Sequence, residues 1–557
     1  MYTSFILAAL LTSAAAVASP EKLAAPVFEC SADLTPQGKI DELVFGRLTK
    51  LGIQPAALCS DEVFVRRVYL DVIGTLPTLQ EAQRFLKDRN PHKRLALIDR
   101  LLQRDEFADY WALKWSDLLR IKAEFPINLW PNAAQAYHHW VRECIRQNMP
   151  YDRFVREMLT ANGSNFRVPP VNFYRAVQSR EPQAIAQAVA LTFMGVRAEK
   201  WPKERLAGMA AFFSQVCYKS TNEWKEEIVS FDPDQAAPAK AEAAVPAVFP
   251  DGTLARFSSG QDRRAVFADW LIAPGNPWFA RNIVNRVWSW LLGRGIIHEP
   301  DDIRPDNPPS NPELLAYLES ELVEDKYDLK HIYRLILNSK TYQLSCIPRS
   351  DRPEAAANFA SYPLRRLEAE VLIDALDQIT GMTEQYSSAI PEPFTFIPEG
   401  QRSITLPDGS ITSSFLEQFG HPSRDTGLES ERSNRTMPDQ RLHLLNSSHI
   451  QRMIQNSAKL RALFQSPKSK ASARSVAISK AARNAKTGKA PNYRRPGVVR
   501  QPSQAVAALY LTILSRPPTG DELEIAAEYL RKAPNKRDAH VDLAWALINS
   551  AEFLYRH

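Results

Sequence analysis

Apolar residues recur at three-to-four spacing along most of this chain, a period that predicts amphipathic helices. Between Glu106 and Lys122, the residues Phe107, Trp111, Trp115 and Leu118 or Leu119 share one face. Ile185, Val189 and Phe193 repeat the pattern, as do Val541, Ala544, Leu547 and Ile548 around Trp545. Aromatic residues at this spacing build cores. Thr78-Leu-Gln-Glu81, Ser310-Asn-Pro-Glu313 and Thr519-Gly-Asp-Glu522 read as capping boxes, in which the hydroxyl takes an orphan N–H and the carboxylate reaches back to the cap.

One arrangement occurs twice. Tyr69-Leu70, Pro77-Thr78 and Glu81 are spaced like Tyr510-Leu511, Pro518-Thr519 and Glu522, and each copy runs on to a phenylalanine, Phe107 or Phe553. The stretch Tyr333 to Tyr342 resembles the end of the last copy. A helix, a Pro-Thr corner and a second helix form a hairpin whose bend is set by Pro and whose second helix is started by Thr. The expected fold is mainly α: a multi-helical two-domain protein with repeated helical hairpins and minor irregular or β segments.

Three stretches break the periodicity. Residues 232–254 are dominated by Ala and Pro and read as a linker. Residues 466–502 are rich in Ser, Ala and Lys and read as a disordered basic insertion. Pro391 to Gly409 carries Pro, Gly and aromatics and has room for a short strand or two. The expected organisation is a signal peptide at 1–18, a first helical domain at 40–231, the linker at 232–254, a second domain at 255–465, the insertion at 466–502, and a C-terminal helical hairpin at 503–557 packing with the second domain.

Composition sharpens this reading. A chain of 557 residues exceeds one compact core. Its 20 Gly and 40 Pro depart in opposite directions from the usual ~7% and ~5%. Scarce Gly argues against phosphate-cradling loops and many hairpins; abundant Pro suits helices joined by stiff loops. Phe5 to Ala18 is apolar but too short to span a bilayer, and Ala16-Val17-Ala18 places a signal cleavage after Ala18. No Lys or Arg precedes the apolar run, so an uncleaved anchor is the alternative. No later segment is long and apolar enough for a membrane helix. The expected location is exported, periplasmic or secreted.

Five cysteines, at 30, 59, 144, 217 and 346, form no CxxC or CxxCH. That excludes ordinary c-type haem attachment and argues against a zinc ribbon. Cys30 and Cys59 flank the first predicted helix and are the first choice for a disulfide; five free thiols are the alternative. The net charge of +6 is uneven: residues 466–502 hold ten Lys and Arg and no Asp or Glu, leaving −4 elsewhere.

Several segments resemble the planctomycete-type secreted family of paired uncharacterised domains associated with cytochrome c modules. The first half carries Arg66-Arg67-Val68-Tyr69-Leu70-Asp71, Gly74, Leu76-Pro77-Thr78, Asp109-Tyr110-Trp111 and Met149-Pro150-Tyr151-Asp152. The second half carries Phe267-Ala268-Asp269-Trp270-Leu271, Asn276-Pro277-Trp278-Phe279-Ala280-Arg281, Asn285-Arg286-Val287-Trp288, Gly293-Arg294-Gly295, Asn307-Pro308-Pro309 and Pro312-Glu313-Leu314-Leu315. The resemblance spans roughly residues 40–230 and 255–460 with the last fifty, and implies an exported, largely helical, two-part protein. Many members place CxxCH after a Phe-x-Gly-Val-Arg helix end. Here Phe193-Met194-Gly195-Val196-Arg197 is followed by Ala198-Glu199-Lys200-Trp201-Pro202-Lys203-Glu204-Arg205, which offers neither thiol nor imidazole. Thioether attachment and axial ligation need both. No cofactor is expected.

No HExxH, G-x-S-x-G, GxxxxGK[ST] or GxGxxG occurs. His138 and His139 point apart on a helix and read as surface or half-buried residues. The densest polar cluster is Glu299, Asp301, Asp302, Arg304, Asp306 and Asn307. It can be read as a hard-cation site, or as a sugar site with Trp288 or Trp290 as platform. A third reading is a Pro-stiffened turn whose carboxylates cap helices and pair with Arg304 or Arg286. The candidate ligand-binding residues are Arg286, Trp288, Asp301, Asp302, Arg304 and Asn307. A second cluster, Arg424, Asp425, Glu429, Glu431 and Arg432, reads as structural ion pairs.

Three functional readings follow: a non-catalytic binding or scaffold protein that has lost the family's haem site; an extracytoplasmic hydrolase of glycans with Asp301 and Asp302 as acids; and a redox protein with non-covalent haem. The partners that fit are an extracellular polysaccharide or a co-exported protein, with no nucleic acid: Tyr493 alone interleaves the basic run, too little for base stacking.

Overall fold

The stripe Phe107, Trp111, Trp115 and Leu118 lies on the helix Asp105–Leu118, and all four side chains are buried. This helix packs on Pro131–Arg146 and on Asp61–Ile73 within the first half. Its indoles also reach the second half: Trp111 and Trp115 meet Trp290 at 5.3 and 6.1 Å, and Trp111 meets Tyr333 at 4.4 Å. One continuous apolar core therefore runs through both halves. The structure, a computed structural model, describes residues 27–232, 245–464 and 502–557. The expected signal segment at 1–18, most of the 232–254 linker and the basic run up to residue 501 lie outside the described residues.

The architecture is mainly α. Three small antiparallel sheets are described: Glu29–Cys30 with Leu58–Cys59; Gly163–Ser164, Glu227–Phe231 and Val216–Ser220 in that order reading 163–164, 227–231, 216–220; and Arg365–Arg366 with Tyr555–Arg556. Pro391 to Gly409 contains no strand; it holds turns and the short 3-10 helix Ser403–Thr405, and the isolated bridge Ser387 to Thr412 flanks it. No helix among the described residues is long and apolar enough to cross a membrane.

The repeated hairpin forms twice with matching contacts. Thr78 and Glu81 make a reciprocal capping box at the helix Leu79–Lys87, and Thr519 with Glu522 makes another at Gly520–Lys532. Arg104 bridges Glu81 and Glu106 beside the Tyr69 ring. Arg516 bridges Glu522 and Glu552 beside the Tyr510 ring. The same four-residue constellation is thus built from arginines at different sequence positions. The third box does not form. The helix Pro312–Glu324 is capped by Asn311, whose Oδ1 accepts from Leu314 N, while the Ser310 hydroxyl has no partner.

The C-terminal segment packs on both halves rather than on the second alone. Arg66 donates to the carbonyls of Ile513 and Phe553, each at 2.8 Å, and Arg67 donates to those of His557, Tyr342 and Leu344. The last strand pairs Arg365 with Arg556. The Cys30–Cys59 pairing is not realised. The register sets Cys30 opposite Leu58 and Cys59 opposite Glu29, so the two side chains leave opposite faces of the ladder, and no disulfide forms among the described residues.

Candidate functional site

On the helix Asp105–Leu118 the aromatic stripe has a polar neighbour. Tyr110, Lys114 and Asp117 stand at four- and three-residue intervals, so they share a face, and all three are buried. This face meets three other segments: the start of the helix Ala369–Thr380 with Glu368 and Glu370, the loop 420–433, and the chain end. Lys114 pairs with Glu368, and Tyr110 donates to Glu368 Oε2 at 3.1 Å. Asp117 takes Arg424 on Oδ1 at 2.9 Å and Arg432 on Oδ2 at 2.8 Å. Arg432 continues to Glu370 with two bonds at 2.6 and 2.9 Å, and His421 Nδ1 lies 2.7 Å from the same carboxylate. Arg556 links Asp71, at 2.8 Å, to the Tyr110 hydroxyl, at 3.0 Å.

Burial alone would raise the Glu368 and Glu370 carboxyls. The cations around them outweigh it: Lys114, Arg556 and Arg432 hold Glu368 low, and Arg432 with His421 holds Glu370 well below the usual carboxylate range. Both are ionised anions inside a cationic cage.

Arg286 lies at the neighbouring edge of this network. Its Nη2 donates to Asp301 Oδ1 at 2.6 Å and to the Leu191 carbonyl, while its Nη1 lies 3.8 Å from Glu429 Oε2. Asp301 Oδ2 accepts the Glu429 amide at 2.7 Å. Trp290 Nε1 donates to both Glu429 oxygens, at 3.2 and 3.1 Å. Glu429 keeps 28% of its side chain exposed, against 1% for Arg286 and 2% for Asp301. Burial raises its carboxyl despite the opposing charges of Lys114 and Arg286.

The six candidate residues therefore divide. Arg286 and Asp301 are joined, but to each other and to the loop 420–433, not around an opening. Trp288 has no exposed surface and meets Phe359 edge-on at 5.0 Å. It is a core residue, and Trp290 is buried as well, so neither indole is a sugar platform. Arg304 pairs with Asp302 at 3.0 Å and with Asp306 at 2.6 Å. Asn307 donates to the carbonyls of His298 and Asp302. Glu299 pairs with Arg197. The carboxylates of 299–306 thus go to three different arginines, Arg197, Arg286 and Arg304, and among the described residues no group of three or more His, Cys, Asp or Glu is placed to hold a metal ion. The cluster takes the form of an ion-paired turn, and the helix that follows it is capped by Asn311 and not by these carboxylates.

The loop cluster behaves as its sequence suggested: Arg424, Glu429 and Arg432 pair as above, Asp425 takes Lys122 at 2.7 Å, and Glu431 caps the Asp425 and Thr426 amides. What the sequence reading missed is Lys114, Tyr110, Asp117, Glu368 and Glu370. Part of the signal was available: Tyr110, Lys114 and Asp117 keep the helical period beside the aromatic stripe on one helix. His138, expected at or near the surface, is buried, and burial lowers it to about 3; His139 is exposed.

A second carboxylate group lies further along the helix Ala369–Thr380. Burial pushes Asp374 up to about 6 and Asp377 up to about 7. Glu384 N donates to Asp377 Oδ2, whereas Oδ1 has no partner. The native state thus binds a proton at Asp377 more tightly than the unfolded chain, whose Asp value is 3.8. Its contribution to stability is present below about pH 4 and is lost as pH rises through about 7. Asp377→Asn is expected to match the parent at pH 4 and to exceed it by about 1–2 kcal/mol at pH 8, measured by urea denaturation at both values. Equal midpoint shifts at both pH values would rule this out.

The haem question has a structural answer at residues 195–205. Gly195 turns the chain with φ +66°, and a Cβ there would sit 2.6 Å from Asn282 Oδ1 and 2.9 Å from the Pro300 carbonyl. Ala198 is fully buried, and the helix Lys203–Ala210 packs on Pro182–Val189. Beyond Ala198 the stretch is largely exposed, at Glu199, Lys200 and Pro202 to Glu204, and it carries no thiol or imidazole, so these residues do not fit a covalently held haem.

Residues 39–214 match the family model PSCyt2, a protein of unknown function (DUF1549), and residues 263–530 match PSD1, a protein of unknown function (DUF1553). No curated protein and no solved structure matches the chain.

Proposed function

Because the chain belongs to the family that pairs these two domains of unknown function, we propose that it is a non-catalytic binding or scaffold protein that keeps the family's helical body without a haem site. One observation supports this above others. The acidic and basic residues that could have lined a reactive cleft are engaged with one another in the interior, as in Lys114–Glu368, Arg432–Glu370 and Arg286–Asp301. Asp301, the candidate acid of the hydrolase reading, accepts from Arg286 and from the Glu429 amide, and so has no free oxygen facing solvent. The apolar run Phe5 to Ala18 supports export, with a mature chain starting at Ser19.

The purified protein should show no Soret absorbance and no pyridine haemochrome, and should release no reducing sugar from a panel of polysaccharides. Glu429 is the network's most accessible carboxyl. Turnover that Glu429→Gln abolishes with the fold intact would overturn the scaffold reading, as would pigment that resists acid-acetone extraction.

A further inference from the structure

Among the described residues, every exposed phenylalanine and tryptophan stands on one of three loops: Phe125, Trp224, Phe394 and Phe396. The loops meet. The Trp130 ring, on the first, lies 5.2 Å from Phe394 and 6.4 Å from Trp224, edge-on to both. Lys225 places its ammonium 5.2 Å from the Trp130 ring and 5.4 Å from the Trp224 ring. Exposed rings gathered from three separate segments mark an interaction surface, because apolar surface left in water at one place is otherwise a cost to the fold.

Each loop is held from behind. Glu124 accepts the Ala389 amide at 3.1 Å and gives its own amide to Ser410 Oγ at 3.0 Å, which fixes loop 122–130 against 388–410. Glu226 accepts from Ser164 at 2.5 Å and from Thr221 at 2.7 Å, which fixes the turn that carries Trp224. The backbone is also strained there: Asn128, Trp130 and Lys225 take φ of 60°, 74° and 61°. A tryptophan with φ 74° and ψ 147° occupies a region all but reserved for glycine, a conformation that persists only where surroundings enforce it. The rings are thus preorganised rather than loosely displayed.

The charge around them selects the partner. Arg167 lies within 3.7 Å of Glu223 and 3.6 Å of Glu226, and Arg175 and Arg180 share Glu227. Lys225 lies on the indoles, with exposed Lys219 on its strand and exposed Glu392 two residues before Phe394. Counting Glu124, five cations face five carboxylates, and exposed Glu399 further along the third loop adds one negative charge, so the surface presents little net charge to a polyion. None of the three loops exposes Leu, Ile, Val or Met, the residues that would build an aliphatic protein–protein core. Flat rings beside paired polar groups suit a pyranose, whose C–H face stacks on the π-face while its hydroxyls bond to the charged rim.

We propose that Trp130, Trp224 and Phe394, with Phe125 and Phe396 flanking, form a binding platform for an uncharged polysaccharide. The idea gives the binding-protein reading its surface and ligand class, and rests on that reading. It replaces the buried pair Trp288 and Trp290 with rings that solvent can reach.

Native affinity electrophoresis of the full chain tests it, with hydroxyethyl cellulose, barley β-glucan, dextran and polygalacturonate in separate gels. At least one neutral polymer should retard the protein. Trp224→Ala and Phe394→Ala should each weaken that binding about tenfold, with unchanged far-UV circular dichroism. Both side chains are exposed, so neither variant disturbs the core. Retardation by polygalacturonate alone, unaltered in Trp224→Ala, overturns the platform and assigns binding to the basic run. Retardation by no polymer overturns it too, and leaves a protein as the ligand to seek. None of these results touches the absence of turnover and haem, so the platform and the scaffold reading fail separately.

Discussion

Arg432→Ala is expected to destabilise the protein by about 3–5 kcal/mol, seen as a lower urea midpoint. The guanidinium bridges Asp117 and Glu370 with bonds of 2.6 to 3.0 Å, and only 5% of its side chain is exposed. Its removal leaves Glu370 fully buried, with the His421 ring, 2.7 Å from its Oε1, as its remaining close partner. The uncompensated anion, more than the lost contact, sets the size of the effect. Arg432→Lys should recover little, because a point charge cannot reach two carboxylates at once.

The pH dependence gives a second readout of the same substitution. In the parent, the depressed Glu368 and Glu370 carboxyls contribute stability that is present above the unfolded value of 4.5 and is lost as pH falls below it. Without Arg432 those carboxyls rise, so the variant should lose less stability between pH 5 and pH 3 than the parent does. A midpoint change under about 1 kcal/mol, the scale of an exposed ion pair, with a parental acid limb, would mean that water already screens the pair.

How much of this was legible beforehand depends on which physical signal each residue leaves in sequence. The aromatic face of Asp105–Leu118 and both Pro-Thr hairpins were readable, because helical period and capping are local rules whose partners lie within a few residues. The loop pairs Arg424 and Arg432 were readable as ion pairs, but their partner Asp117 lies some 300 positions away, and composition carries no trace of that distance. Trp288 misled for a related reason. A tryptophan beside polar residues looks like a platform, yet its position on Phe279–Leu292 turns it inward against Phe359. Trp224 was passed over because a single tryptophan on a turn has no periodicity; its meaning comes from Trp130 and Phe394, which only the fold brings near it.

Asp71→Ala is the companion case at the other end of the network. Asp71 Oδ2 accepts from the hydroxyls of Tyr342 and Tyr362 at 2.9 and 2.7 Å, and Oδ1 takes Arg556 at 2.8 Å and Arg365 at 3.5 Å. One carboxylate from the first half thus holds the 342–366 segment and the chain end together. Its loss takes their shared carboxylate from buried Arg556 and half-buried Arg365 and leaves the Tyr342 and Tyr362 hydroxyls without their acceptor, and is expected to cost about 3–5 kcal/mol. Tyr342→Phe, which removes one donor and keeps the anion, should cost only about 1.5–3 kcal/mol, the range for a bond to a charged group. The damage should also be local. The strand Tyr555–Arg556 depends on Arg556 for its anchor, so amide exchange should accelerate at Leu367, whose N–H donates to Leu554 O at 2.9 Å. Exchange at Leu367 as slow as in the parent would show that strand pairing, not Asp71, retains the chain end. The two large effects are not independent: Arg556 also lies 3.6 Å from Glu368, an anion that Arg432 helps to hold. The double variant Asp71→Ala with Arg432→Ala should therefore depart from additivity by about 0.5–3 kcal/mol, whereas two separate ion-pair clusters would add.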